Sequence, residues 1–124
     1  ISRRDFHGIN QKDPEHGTLL HWAASKGHEN VCLAILGRAD FTLVNATDRL
    51  KCTAFHYAAG KGLLGVCTEI IRRKDFTSIN AKDIYGETAF KMAARMRTDY
   101  YRIGCDGSIG QNYERICDSI QVVL

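Results

Sequence analysis

Asp40-Phe41-Thr42-Leu43-Val44-Asn45-Ala46-Thr47-Asp48 is the middle copy of a nine-residue sentence, D-F-x-x-[IV]-N-x-x-D, that the chain writes three times. The other copies run from Asp5 to Asp13 and from Asp75 to Asp83, and every matched residue recurs at a step of 35. A fixed step of that size marks stacked supersecondary units, none of which buries its apolar face alone.

The stretch after each copy repeats as well. Thr18 opens T-L-L-H-W-A-A-S-K-G-H, Thr53 opens T-A-F-H-Y-A-A-G-K-G, and Thr88 opens T-A-F-K-M-A-A. Each threonine stands where a helix N-cap belongs, its hydroxyl able to accept from backbone N–H groups two or three residues on. At 100° per residue, Leu19, Leu20, Ala23 and Ala24 fall on one arc, with Trp22, Ser25 and Lys26 on the other. The paired alanines let a neighbouring helix approach closely. Gly27 and Gly62 then suit a tight turn, since glycine accepts positive φ without steric cost. Second helices come next, reading V-C-x-x-I-L at Val31–Leu36 and V-C-x-x-I-I at Val66–Ile71, with Glu29, Asn30, Thr68 and Glu69 left for water.

These blocks resemble the ankyrin repeat, whose signature is T-P-L-H-x-A-A-x-x-G-H, an outer helix, then a turn carrying N-A-x-D. The resemblance implies an all-α solenoid of helix-turn-helix units joined by β-turn fingers. One domain is expected: residues 1–12 end a preceding repeat, 13–47 and 48–82 are repeats, and 83–124 is a third with an insertion within 96–112. Ile1 to Phe6 align with Ile71 to Phe76, which predicts at least one more helix upstream.

The chain departs from the family pattern in places. The proline after the capping threonine is Leu19, Ala54 or Ala89. The turn glycine survives only as Gly86, replaced by His16 and Lys51, so those two turns are expected to differ in backbone shape. Two extra residues precede each turn, and Phe6, Phe41 and Phe76 read as anchors of the lengthened connection. In the third unit I-C-x-x-I appears at Ile116, Cys117 and Ile120, fifty residues beyond Val66, so fifteen residues have entered. The inner helix should run on to about Tyr101, followed by a flexible, glycine-rich loop.

Composition fits a single domain of 124 residues with a net charge of +3, too mild to predict a nucleic-acid partner. No run of 18 apolar residues exists. The five cysteines are odd in number, and Cys32, Cys67 and Cys117 share one position of an apolar helix pattern. That usage suits a reducing compartment, cytosol or nucleus, better than a disulfide framework.

Several chemical motifs read more plainly as structure. Gly60-Lys61-Gly62-Leu63-Leu64-Gly65 matches G-x-G-x-x-G, yet it ends a helix where a dinucleotide site needs a strand before it. Asn45-Ala46-Thr47 is a glycosylation sequon, but Asn10 and Asn80 hold the same place without one, which points to turn chemistry. His21 and His56 hold the family's structural histidine position, and neither Cys52 with His56 nor His16 with His21 has a matching second metal pair. No nucleophile motif is present; neither catalysis, cofactor nor metal is expected.

The resemblance implies a non-catalytic protein–protein interaction module that binds on the concave inner-helix face and finger tips. The residues expected to touch a partner protein or peptide are Lys12, Glu15, Trp22, Ser25 and Lys26 in unit one. Unit two contributes Arg49, Lys51, Tyr57 and Lys61, and unit three Ile84, Tyr85 and Arg95. Trp22, Tyr57 and Met92 share one position and read either as a packed ladder or as interface anchors. If Lys26, Lys61 and Arg95 line one groove with Trp22 and Tyr57, an acidic peptide or helix would be favoured. The alternative is a structural role against another part of a larger protein; nucleic-acid binding through Arg95 to Arg102 ranks below both.

Overall fold

In the computed structural model residues 9–13, 15–102 and 108–123 are described. Two short strands, β1 (Lys12–Asp13) and β2 (Gly17–Thr18), pair antiparallel. Among the described residues six helices follow: α1 (Leu19–Ser25), α2 (Glu29–Leu36), α3 (Ala54–Gly60), α4 (Leu64–Arg72), α5 (Ala89–Arg102) and α6 (Ser108–Val123). α1, α3 and α5 pack side by side as an inner row and α2, α4 and α6 as an outer row, each inner helix leaning on the outer helix that follows it.

The threonines start the inner helices. Thr18 Oγ1 accepts the His21 N–H at 3.4 Å, Thr53 that of His56 at 3.3 Å, and Thr88 that of Lys91 at 3.2 Å. Seven-residue helices such as α1 and α3 are too short to persist in water alone, so they are held by stacking. Leu20, Ala23 and Ala24 of α1 and Phe55, Ala58 and Ala59 of α3 are fully buried. The expected outer stripe is buried in Cys32, Ile35 and Leu36 and in Val66, Cys67 and Ile70, while Val31 and Ile71 at its margins are half-exposed.

The third unit confirms the fifty-residue offset and corrects the loop. Ile116, Cys117 and Ile120 are as deeply buried as Val66, Cys67 and Ile70. α5 runs to Arg102, as the pattern indicated, but α6 begins at Ser108, so Gly110 is helical rather than part of a loop. The inserted residues therefore mostly lengthen two packed helices. The Tyr113 hydroxyl donates to the Gly60 carbonyl at 2.9 Å, tying the lengthened α6 to the end of α3. The expected flexible loop falls on residues 103–107, outside the described residues, as does Phe6.

The two remaining phenylalanines anchor the connections in different ways. Phe41 is fully buried, and the Arg73 guanidinium sits 5.3 Å above its ring. Arg73 also donates to the carbonyls of Phe41 and Leu36, at 2.6 and 3.0 Å, and pairs with Asp75. Phe76 is half-buried, edge-on to Phe55 at 5.2 Å. The sequence carries a signal for this arginine that the reading of the turns missed: Arg3, Arg38 and Arg73 keep the step of 35 too.

Candidate protein-binding face

Each finger is shaped by its aspartate. Asp48 Oδ1 accepts the N–H groups of Leu50 and Cys52 at 2.9 and 3.0 Å, and Asp83 Oδ1 accepts those of Tyr85 and Glu87, both at 2.9 Å. A carboxylate that gathers two backbone donors holds a turn closed. Fingers two and three share their backbone bonds as well: Asp48 N–H to Cys52 O and Asp83 N–H to Glu87 O, each 3.0 Å, then Lys51 N–H to Asp48 O and Gly86 N–H to Asp83 O, again 3.0 Å.

The expected difference at His16 and Lys51 is half right. Lys51 adopts the left-handed conformation of Gly86, φ 60° against 77°, so finger two keeps the shape of finger three with a side chain on a strained residue. Finger one differs: its positive φ, 80°, lies at Gly17, one residue later, inside the β1–β2 pairing. A Cβ on Gly17 would come within 2.6 Å of the His21 ring. Its Asp13 Oδ2 meets His16 Nδ1 at 2.8 Å, a contact that holds the Asp13 carboxyl below its ordinary range.

The fingers are tied to one another and to the helices. Arg49 N–H donates to Glu15 O at 3.2 Å and Ile84 N–H to Leu50 O at 3.0 Å. His21 Nδ1 accepts the Thr18 N–H at 3.0 Å, which leaves its proton on Nε2 to donate to Cys52 O at 2.9 Å. His56 repeats this with Thr53 and Glu87, at 3.1 Å each. The asparagines cross between units in the same way. Asn45 Nδ2 donates to Asp75 O at 2.7 Å while its Oδ1 accepts the Thr77 N–H at 2.9 Å, and Asn10 makes the equivalent bonds to Asp40 and Thr42. The sequon asparagine is thus a bridge between units, more than the local turn former expected.

Between fingers one and two and the inner helices opens a cavity of about 470 Å³. Six of the twelve expected contact residues line it: Glu15, Trp22, Ser25, Lys26, Arg49 and Tyr57. The other six, Lys12, Lys51, Lys61, Ile84, Tyr85 and Arg95, are exposed outside it. Asp13, His16, His21, Asp48 and Leu50 complete the lining and were not among the expected contacts. Asp48 of finger two lies against Tyr57 of α3 in the same unit, whose hydroxyl donates to Asp48 Oδ2. Burial first, then that bond, pushes the Tyr57 phenol well above its ordinary range.

The aromatic position answers to both of its readings. Trp22, Tyr57 and Met92 are all half-buried. Trp22 packs on His28 at 5.3 Å and Tyr57 stands edge-on to His21 at 6.0 Å, so each aromatic ring pairs with a histidine. Ser25 spends its hydroxyl on the Trp22 carbonyl at 2.9 Å.

Charge along the face is mixed rather than uniformly basic. Arg95 pairs with Glu87 in its own unit, and Arg49 lies 3.5 Å from Glu15 with both side chains mostly exposed. Among the described residues Lys12, Lys26, Lys51 and Lys61 have no ion-pair partner. Of the acids that line the cavity, Asp13 is engaged by His16 and Asp48 by backbone N–H groups and the Tyr57 hydroxyl.

Other chemistry is quiet among the described residues. Cys32, Cys52, Cys67 and Cys117 are buried free thiols; desolvation pushes Cys32 and Cys52 up to about 11, leaving little thiolate to react at neutral pH. Among the described residues no group of three His, Cys, Asp or Glu is placed to hold a metal ion, and no helix is long and apolar enough to cross a membrane. The glycine motif at 60–65 joins α3 to α4, and no strand precedes it. A family model of ankyrin repeats matches residues 20–103 in three copies. No curated protein matches the chain.

Proposed function

Because the chain belongs to the ankyrin-repeat family, whose members are generally protein–protein interaction modules, we propose that it is a non-catalytic module that binds a partner protein through its concave face and finger tips. The observation that carries this reading is the open cavity of about 470 Å³ that gathers Glu15, Trp22, Ser25, Lys26, Arg49 and Tyr57 from two units. A rigid stack presents such a surface at little entropic cost on binding. Trp22 and Tyr57 supply aromatic area, and the unpaired Lys26 and Lys61 favour an acidic segment of the partner. The repeats are 13–47, 48–82 and 83–124, and the inert thiols suit a cytoplasmic or nuclear setting.

Charge reversal tests the face. Lys26→Glu with Lys61→Glu should weaken partner binding and leave the unfolding midpoint in place, because both side chains are exposed. Unchanged affinity would remove this face from the account.

A second reading, a structural role against another part of a larger protein, draws on Val122 and Val123 of α6, which are 86% and 53% exposed. Val122→Ser with Val123→Ser would abolish that association and spare capture of a separate partner.

A further inference from the structure

We propose that Lys51 is a specificity-determining contact of this face, meeting a carboxylate on an acidic segment of the partner protein laid against finger two. The inference rests on the protein-binding reading above and names the chemistry that finger two would recognise.

The backbone supplies the first observation. Lys51 is the non-glycine residue with positive φ among the described residues, at 60°. Gly86, one step of 35 later, makes the same turn with the same 3.0 Å bond back to its aspartate. Glycine therefore suffices for the turn, and a lysine there is a strained residue whose side chain the turn does not use. Strain of that kind is retained where the side chain has a task.

Charge supplies the second. Lys51 is exposed and, among the described residues, has no ion-pair partner. The carboxylate nearest in sequence, Asp48, is committed to the N–H groups of Leu50 and Cys52 and to the Tyr57 hydroxyl. Arg49 and Leu50, on the same finger, line the cavity. The uncommitted charge on this finger is therefore positive, on the residue next in sequence to the cavity-lining Leu50, and its complement is acidic.

Three proteins separate strain from contact: the parent, Lys51→Ala and Lys51→Gly. The alanine removes the ammonium and keeps a strained L-residue, whereas the glycine removes both. Thermal unfolding should give a Tm raised by about 3–5 °C for Lys51→Gly and unchanged for Lys51→Ala. Binding of a fluorescein-labelled glutamate-rich peptide, followed by anisotropy at low salt, should weaken about threefold to fivefold in both variants. Equal affinity in all three proteins would overturn the proposal. So would a parent that binds the peptide no better than a glycine-serine control, or one that prefers a single-stranded oligonucleotide of the same length. A partner protein still captured from lysate by the parent, when the glutamate peptide fails, would leave the protein-binding reading standing without this inference.

Discussion

His21 Nε2 lies 2.9 Å from the carbonyl oxygen of Cys52, thirty-one residues on, and that bond fastens helix α1 to finger two. His56 spans to Glu87 in the same manner. A repeat protein is as stable as its unit-to-unit contacts, so these bonds set how the fold responds to pH and substitution.

The His21 imidazole must stay neutral, since Nδ1 accepts a backbone N–H. Burial lowers its pKa from the ordinary 6.5. The unfolded chain then binds the proton first, so this contribution is complete above about pH 6.5 and is lost as pH falls from there through the lower folded pKa. An NMR titration of the His21 Cε1 proton should show a midpoint below 6.5. A midpoint at or above that value would mean that the ring is not buried with Nδ1 accepting the Thr18 N–H in solution.

Asn45→Ala removes two bonds to the next unit and should cost about 1–3 kcal/mol, read by urea denaturation. Asn80→Ala, at the same register but exposed, should cost less than about 0.5 kcal/mol. Similar losses at the two positions would count against the bridge.

Phe41→Ala should cost about 3–5 kcal/mol, because a fully buried ring is lost and the Arg73 guanidinium is left without its face. Arg73→Ala should cost less, and the double variant less than the two losses combined, as expected of residues in contact. Strict additivity would mean that the arginine acts through Asp75 and the two backbone carbonyls and not through the Phe41 ring.

The strained turn gives a signed pair. Gly86→Ala should destabilise by about 1 kcal/mol and Lys51→Gly should stabilise by about as much, since both residues hold left-handed backbone. Equal signs would contradict the shared shape of fingers two and three.

The fold was legible because its signals are periodic. The step of 35, the capping threonines and the V-C-x-x-I stripe report local helix geometry, and the displaced Ile116-Cys117-Ile120 stripe located the last outer helix despite its insertion. The helix starts near that insertion were not legible: Gly110 reads as loop chemistry, yet α6 carries it by packing along α5. Finger two escaped for a related reason. Propensity argues against left-handed lysine, whereas the bonds from Asp48 impose it. Half of the expected contacts share one cavity, but its charge balance depends on Asp13 and Asp48, which the folded fingers place on its wall with Trp22 and Tyr57. The arginine at Arg38 and Arg73 was visible in the repeat but its role was not, because the carbonyls that Arg73 binds lie one unit back.

Affinity capture from the source cell's lysate would show whether the concave face binds a protein, with the parent protein set against a Trp22→Ala, Lys26→Glu, Lys61→Glu variant whose helical circular dichroism matches the parent's. A partner protein should be recovered by the parent and lost from the variant. Equal recovery by both would contradict a binding surface on the concave face.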